Sequence, residues 1–214
     1  MVEMNTMPSP FGHALGGVAA AWAIDLLPGA RRWRSAEGHA SFYRRAGGAL
    51  TLICAALGTA PDADLVLTTH RTATHSLTAA VIVSIVAVVV TGWVTRASFP
   101  VARVALMCGG AYAGHLLLDW LAIDRTPPFG LQILWPFSRT WFISGLDVFA
   151  QTERRRLLSA ESLRTNLVAI GWEAAILLPV LGALWLVRVK SLARFSSQPA
   201  RGDHPAQKRA RPVL

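Results

Sequence analysis

Residues 101–122 read "VARVALMCGGAYAGHLLLDWLA". The run is long enough to cross a bilayer as one helix, which takes about 20 largely apolar residues. Inside it stand His115 and Asp119, four positions apart. On a helix that spacing puts both side chains on one face, one turn apart. Ionisable groups inside an apolar span are costly, and they point first to a function. Here both side chains could ligate one metal ion. The competing reading is a His–Asp hydrogen bond that holds two helices together.

Four further apolar segments flank this one: 11–27, 47–60, 76–95 and 166–187. The last two are long enough to span, whereas the first two are short and rich in Gly and Ala. That leaves the short pair open as short spans, interfacial helices or a re-entrant pair. The composition agrees with a membrane chain. Of 214 residues, 53% are hydrophobic and 15% charged, against about 25% charged in a soluble domain. Cys54 and Cys108 lie in apolar segments without CxxC spacing and read as packing residues. The expected fold is an all-α polytopic membrane helix bundle of about five apolar helices. Residues 123–165, dense in Trp and Phe, should form an interfacial cap. The domain is expected to fill residues 1–195, with 196–214 a disordered basic tail.

Charge sets the expected orientation. If each segment crosses once, the N-terminus, residues 61–75 and residues 123–165 share one side. Seven of the 21 Lys and Arg fall there: Arg71, Arg125, Arg139, Arg154, Arg155, Arg156 and Arg164. The other 14 lie on the opposite side, five of them in the linker 28–46 and seven from Arg188 onward. The positive-inside rule then puts the tail in the cytoplasm and the opposite face outside. The net charge of +9 is thus explained by topology. No nucleic-acid reading motif accompanies it.

The outer side collects the metal-type ligands. The stretch "PDADLVLTTHRTATHSL", residues 61–77, contributes Asp62, Asp64, His70 and His75. In an extended loop after Pro61 the two aspartates can both turn toward one cation, although Pro and Asp are also ordinary turn residues. His70 and His75, five apart, do not share a helical face, so His70 belongs to a loop and His75 to the first turn of the next helix. Thr74 could be its N-cap. Arg71 is a candidate phosphate clamp, because a guanidinium binds phosphate oxygens in pairs. His13, near the start of the first segment, falls on the same side. Glu173, inside the fifth segment, needs a partner: a metal or His on one reading, an Arg on the other. Carboxylate with imidazole suits zinc first and manganese second.

The motifs "FGHALGG", "PDADLV", "HRTATHSL", "GHLLLDWL" and "LQILWPFS" follow one another over roughly residues 11–145. In this order they resemble the YdjM family of bacterial inner-membrane, metal-dependent hydrolases. The resemblance implies a multi-pass inner-membrane protein whose ligands are His13, Asp62, Asp64, His70, His75, His115 and Asp119. The family is similar in motif logic to zinc-dependent phospholipase C. That implies phosphoester chemistry, with membrane lipid as one substrate form. The second His-x-x-x-Glu pair of those enzymes is missing here, so the number of metal ions stays open.

The expected function is therefore membrane-bound, metal-dependent hydrolysis of a phosphoester. Asp64 would orient or deprotonate the attacking water, and Arg71 would hold the phosphate. Two other classes compete. Ion or metal transport would use the same ligands as a passage site, but the nearly apolar segment 76–95 offers it no continuation. A structural or regulatory membrane partner would tolerate replacement of the whole His/Asp set.

Overall fold

The computed structural model of the chain describes residues 8–27, 41–66, 71–95, 101–125, 127–153 and 158–196. His70 and the tail from residue 197 lie outside the described residues. Among the described residues the chain is helical and forms no strand. Its elements are α1 (Pro10–Asp25), the single turn α2 (Phe42–Arg45), α3 (Gly48–Thr59), α4 (Leu77–Thr95), α5 (Val101–Leu121) and α6 (Ala160–Ser196).

Three of these helices are long and apolar enough to cross a membrane: α4, α5 and α6 up to Lys190. These are the three apolar segments whose length was expected to span; the short pair, α1 and α3, is helical but does not reach that length. With 16 residues in α1 and 12 in α3, a rise of 1.5 Å per residue makes them about 24 and 18 Å long. A hydrocarbon core of roughly 30 Å exceeds both. They form an antiparallel pair set against α5, and α6 lies on the other side of α1. Meanwhile α4 packs mainly on α5 and leaves Val81, Ile82, Ile85, Val89 and Trp93 more than half exposed. An apolar face of that kind suits lipid.

Glycine makes the short pair possible. Gly17 and Gly58 face each other where α1 crosses α3. A Cβ on Gly58 would lie 2.4 Å from the His13 carbonyl oxygen, and one on Gly17 would lie 2.6 Å from the Cys54 carbonyl oxygen. Only residues without a side chain let the two backbones approach this closely. The contact sets His13 on α1 beside the last turn of α3.

The starts of α1 and α4 each have a local cause. Ser9 caps α1 by accepting from Gly12 N at 3.0 Å, with Pro10 in the first turn. The cap of α4 is Ser76, which accepts from Ala79 N at 3.2 Å. Thr74, the expected cap, instead points its hydroxyl at Asp64. His75 accordingly precedes α4 and is not part of its first turn.

Residues 122–125 and 127–153 fold over the ends of α4 and α5. Two isolated bridges, Ala122 with Phe149 and Leu131 with Phe142, shape this cap. Leu77 N donates to Ile133 O at 2.9 Å, and Thr78 Oγ1 donates to Trp135 O at 2.7 Å. The stretch thus has a definite structure, as its aromatic content suggested.

The opposite end of the bundle is closed by charge. Asp25, fully buried at the end of α1, pairs with Arg103 of α5 and with Arg188 Nε of α6 at 2.8 Å. Arg188 also donates to the Arg45 carbonyl at 2.6 Å and lies over the Trp22 ring. This clamp was not foreseen. Its signal was Asp25 itself, a carboxylate inside an apolar segment.

Candidate metal centre

Four separate stretches deliver side chains to one buried point. His13 comes from the first turns of α1, and Asp62 from the 3-10 turn Ala60–Val66 that follows α3. His75 comes from the approach to α4, and His115 with Asp119 from the last turns of α5. His13, His75 and His115 are each 0% exposed, and Asp119 is 7% exposed. Asp62 is the one member of the five that is not buried.

The histidine tautomers follow from their partners. Nδ1 of His115 lies 2.8 Å from the Gly58 carbonyl oxygen. A carbonyl only accepts, so Nδ1 carries the proton and Nε2 presents a lone pair. Nδ1 of His75 faces Asp64 Oδ2 at 3.3 Å, which fixes the same tautomer there. The two Nε2 atoms then meet at 3.1 Å. Asp62 Oδ1 lies 3.7 Å from each of them. Asp119 Oδ2 lies 3.5 Å from that of His75 and 3.1 Å from that of His115. Every atom in this set is an acceptor. Such a group is stable only with a proton or a cation at its centre.

The spacing suits a metal ion. A tetrahedral ion with bonds of 2.0–2.1 Å separates its ligand atoms by about 3.3–3.4 Å. The five separations above run from 3.1 to 3.7 Å. Both ring nitrogens of His13 and both carboxylate oxygens of Asp119 are buried without a hydrogen-bond partner among the described residues. Bare buried polar atoms are rare in folded proteins, and an ion bound among them would account for them. A proton serves instead in the metal-free chain. Burial works against charge on His75, but hydrogen bonds to Asp62 and Asp64 and the charge of Asp119 outweigh it and raise its pKa to about 9.

Asp64 takes a different place from the one expected. In a 3-10 turn successive residues are about 120° apart, so Asp62 and Asp64 point different ways. Asp62 faces the Nε2 atoms. Asp64 turns to His75 Nδ1 and accepts the Thr74 hydroxyl. The result is a carboxylate–imidazole pair that holds a ligand's ring in orientation. The extended loop assumed from Pro61 would have aimed both carboxylates at one ion.

Arg71 and Glu173 also differ from expectation. Arg71 is buried, at φ 63°, with Nη1 2.6 Å from Asp124 Oδ2. The same Asp124 oxygen accepts from Gly130 N at 2.6 Å, so the pair ties the start of the cap together. A phosphate clamp would have to share or leave this pair. Among the described residues Glu173 meets neither a His nor an Arg. Its carboxylate accepts from Ser9 N at 2.6 Å and from the Ser9 hydroxyl. It thus anchors the start of α1, where the helix dipole favours negative charge.

No curated protein and no solved structure matches the chain. A family model does match, that of the YdjM inner membrane protein, over residues 7–194. That span takes in α1 to α5, α6 up to residue 194 and every side chain of the centre described above, and the chain belongs to the YdjM inner membrane protein family.

Proposed function

We propose that this protein is a membrane-bound, metal-dependent hydrolase of phosphoesters, with zinc as the first candidate metal and manganese the second. One observation carries the reading: the acceptor-only cluster of His75 Nε2, His115 Nε2, Asp62 and Asp119, with His13 beside it, at one end of an apolar bundle. His75, His115, Asp62 and Asp119 would hold a divalent ion, which would supply Lewis acidity toward a water and a phosphoryl oxygen. The chain's own residues do the rest. Asp64 and the Gly58 carbonyl fix the rings of His75 and His115. Asp62, the one ligand of the five that is not buried, would be the first that an arriving substrate meets. The excess of Lys and Arg on the opposite side supports a cytoplasmic tail and an outward-facing site. There, lipid phosphoesters would be presented at headgroup level. Arg71 is reassigned from phosphate clamp to support of the cap, because Asp124 already holds it.

Ion passage fits less well. A cation leaving the centre through the bundle would meet Arg103 and Arg188 at the other end. A structural metal is the second reading, favoured by the complete burial of the three histidines.

The test compares wild-type protein in detergent with a His115→Ala/Asp119→Ala variant. Metal content and hydrolysis of bis(p-nitrophenyl) phosphate and of phospholipid are measured in both. Bound metal and hydrolysis, both lost in the variant, support the hydrolase. Bound metal without hydrolysis favours the structural reading. A folded wild type that binds no metal refutes both.

A further inference from the structure

The stacking of His13 on His115 limits how many ions the centre can take. Their ring centroids are 3.8 Å apart and their planes differ by 21°. An imidazole binds a metal along its nitrogen lone pair, which lies in the ring plane. Planes so close to parallel meet only roughly 10 Å away, whereas a zinc–imidazole bond is about 2 Å long. His13 and His115 therefore cannot both ligate one ion in plane, although their ligand atoms and that of Asp62 lie within 4.8 Å of one another. Yet His13 is 0% exposed and has no hydrogen-bond partner on either ring nitrogen among the described residues. It has no role in the first ion's shell, and a ligand would occupy its buried ring nitrogens.

Asp119 supplies the link. Its Oδ2 faces the Nε2 atoms of His75 and His115 at 3.5 and 3.1 Å. Its Oδ1 faces His13 Nε2 at 3.4 Å, on the other side of the carboxylate. One carboxylate thus serves two sets of ligands. Paired catalytic metals lie about 3.5–4 Å apart, close to the 3.8 Å offset between the stacked rings.

We propose that the centre holds two divalent ions. One is bound by His75, His115, Asp62 and Asp119 Oδ2; the second is bound by His13 and Asp119 Oδ1, with Asp62 within reach. The first ion has four protein donors. The second has too few protein ligands to be complete and keeps positions for water and substrate, as catalytic sites do. Two ions with one open to substrate suit in-line displacement at phosphorus, so the substrate class narrows to phosphate mono- or diesters. This inference rests on the metal-centre reading, and its test separates the two.

Wild type, His13→Ala and His13→Gln are purified, stripped and titrated with Mn(II), with circular dichroism as the check on folding. Metal per chain and the electron paramagnetic resonance spectrum are read. The expected result is two Mn(II) per wild-type chain with an exchange-coupled spectrum, and one per chain with an isolated six-line signal in both His13 variants. If the variants fail to fold, the wild-type spectrum decides alone. One uncoupled ion per wild-type chain overturns the two-ion centre and leaves the single-metal reading standing. No bound ion overturns both.

Discussion

Replacing Gly58 by alanine tests whether the α1–α3 crossing holds the centre together. The added Cβ would lie 2.4 Å from the His13 carbonyl oxygen and 3.0 Å from Gly17 Cα. Both neighbours are backbone and cannot rotate away. Restoring ordinary contact requires the helices to part by about 1 Å, and overpacking of this kind costs about 1–3 kcal/mol. The same shift moves the Gly58 carbonyl, which His115 Nδ1 meets at 2.8 Å. Loss of such a supporting bond lowers metal affinity by about 10–100-fold. Gly182→Ala in α6 is the control, since its Cβ would meet nothing within 4 Å. There alanine should be neutral or stabilise the helix by about 0.5–1 kcal/mol. Thermal unfolding in detergent and chelator competition for bound zinc read the two effects. A Gly58→Ala protein as stable and as metal-avid as Gly182→Ala would refute the argument that backbone approach at this crossing builds the site.

Two other substitutions probe separate parts. Asp64→Asn should keep the fold and weaken metal binding by about 10–100-fold, because it removes the carboxylate that orients His75; unchanged affinity in the chelator assay would remove Asp64 from the centre. Asp25→Ala leaves Arg103 and Arg188 buried without their shared carboxylate and should destabilise the fold by about 3–5 kcal/mol. Metal stoichiometry in whatever fraction stays folded should not change, and a loss of metal from folded Asp25→Ala protein would show that the two ends are coupled.

The long helices were legible because composition and length dictate them: α4 and α5 begin and end within a residue of the apolar runs. α6 was underestimated. It starts six residues before the fifth apolar segment and runs on to Ser196, because polar and charged residues continue a helix that hydropathy alone does not mark. In the centre, the His115–Asp119 pair could be read from its helical spacing, and His13, Asp62 and His75 from their shared side of the chain. Three things could not be read. The role of Asp64 depends on a 3-10 turn in place of an extended loop, a difference of backbone angles that Pro61 does not decide. The partner of Glu173 is Ser9, which lies before any apolar segment and so outside the search for intramembrane partners. The stacking of His13 on His115 depends on a glycine crossing between helices far apart in sequence.

The clamp at Asp25 and the centre at Asp119 both require α5, which enters the membrane after every other ligand-bearing segment described here. Until α5 is in place, Asp25 is a buried carboxylate without either arginine, and His13, Asp62 and His75 have no common focus. The partly made chain thus carries a carboxylate that is costly in an apolar helix until α5 and α6 supply the two arginines. A metal ion bound at the centre, as proposed above, would join α1, the 3-10 turn and α5 only after α5 is in place, while the clamp at Asp25 waits for Arg188 of α6.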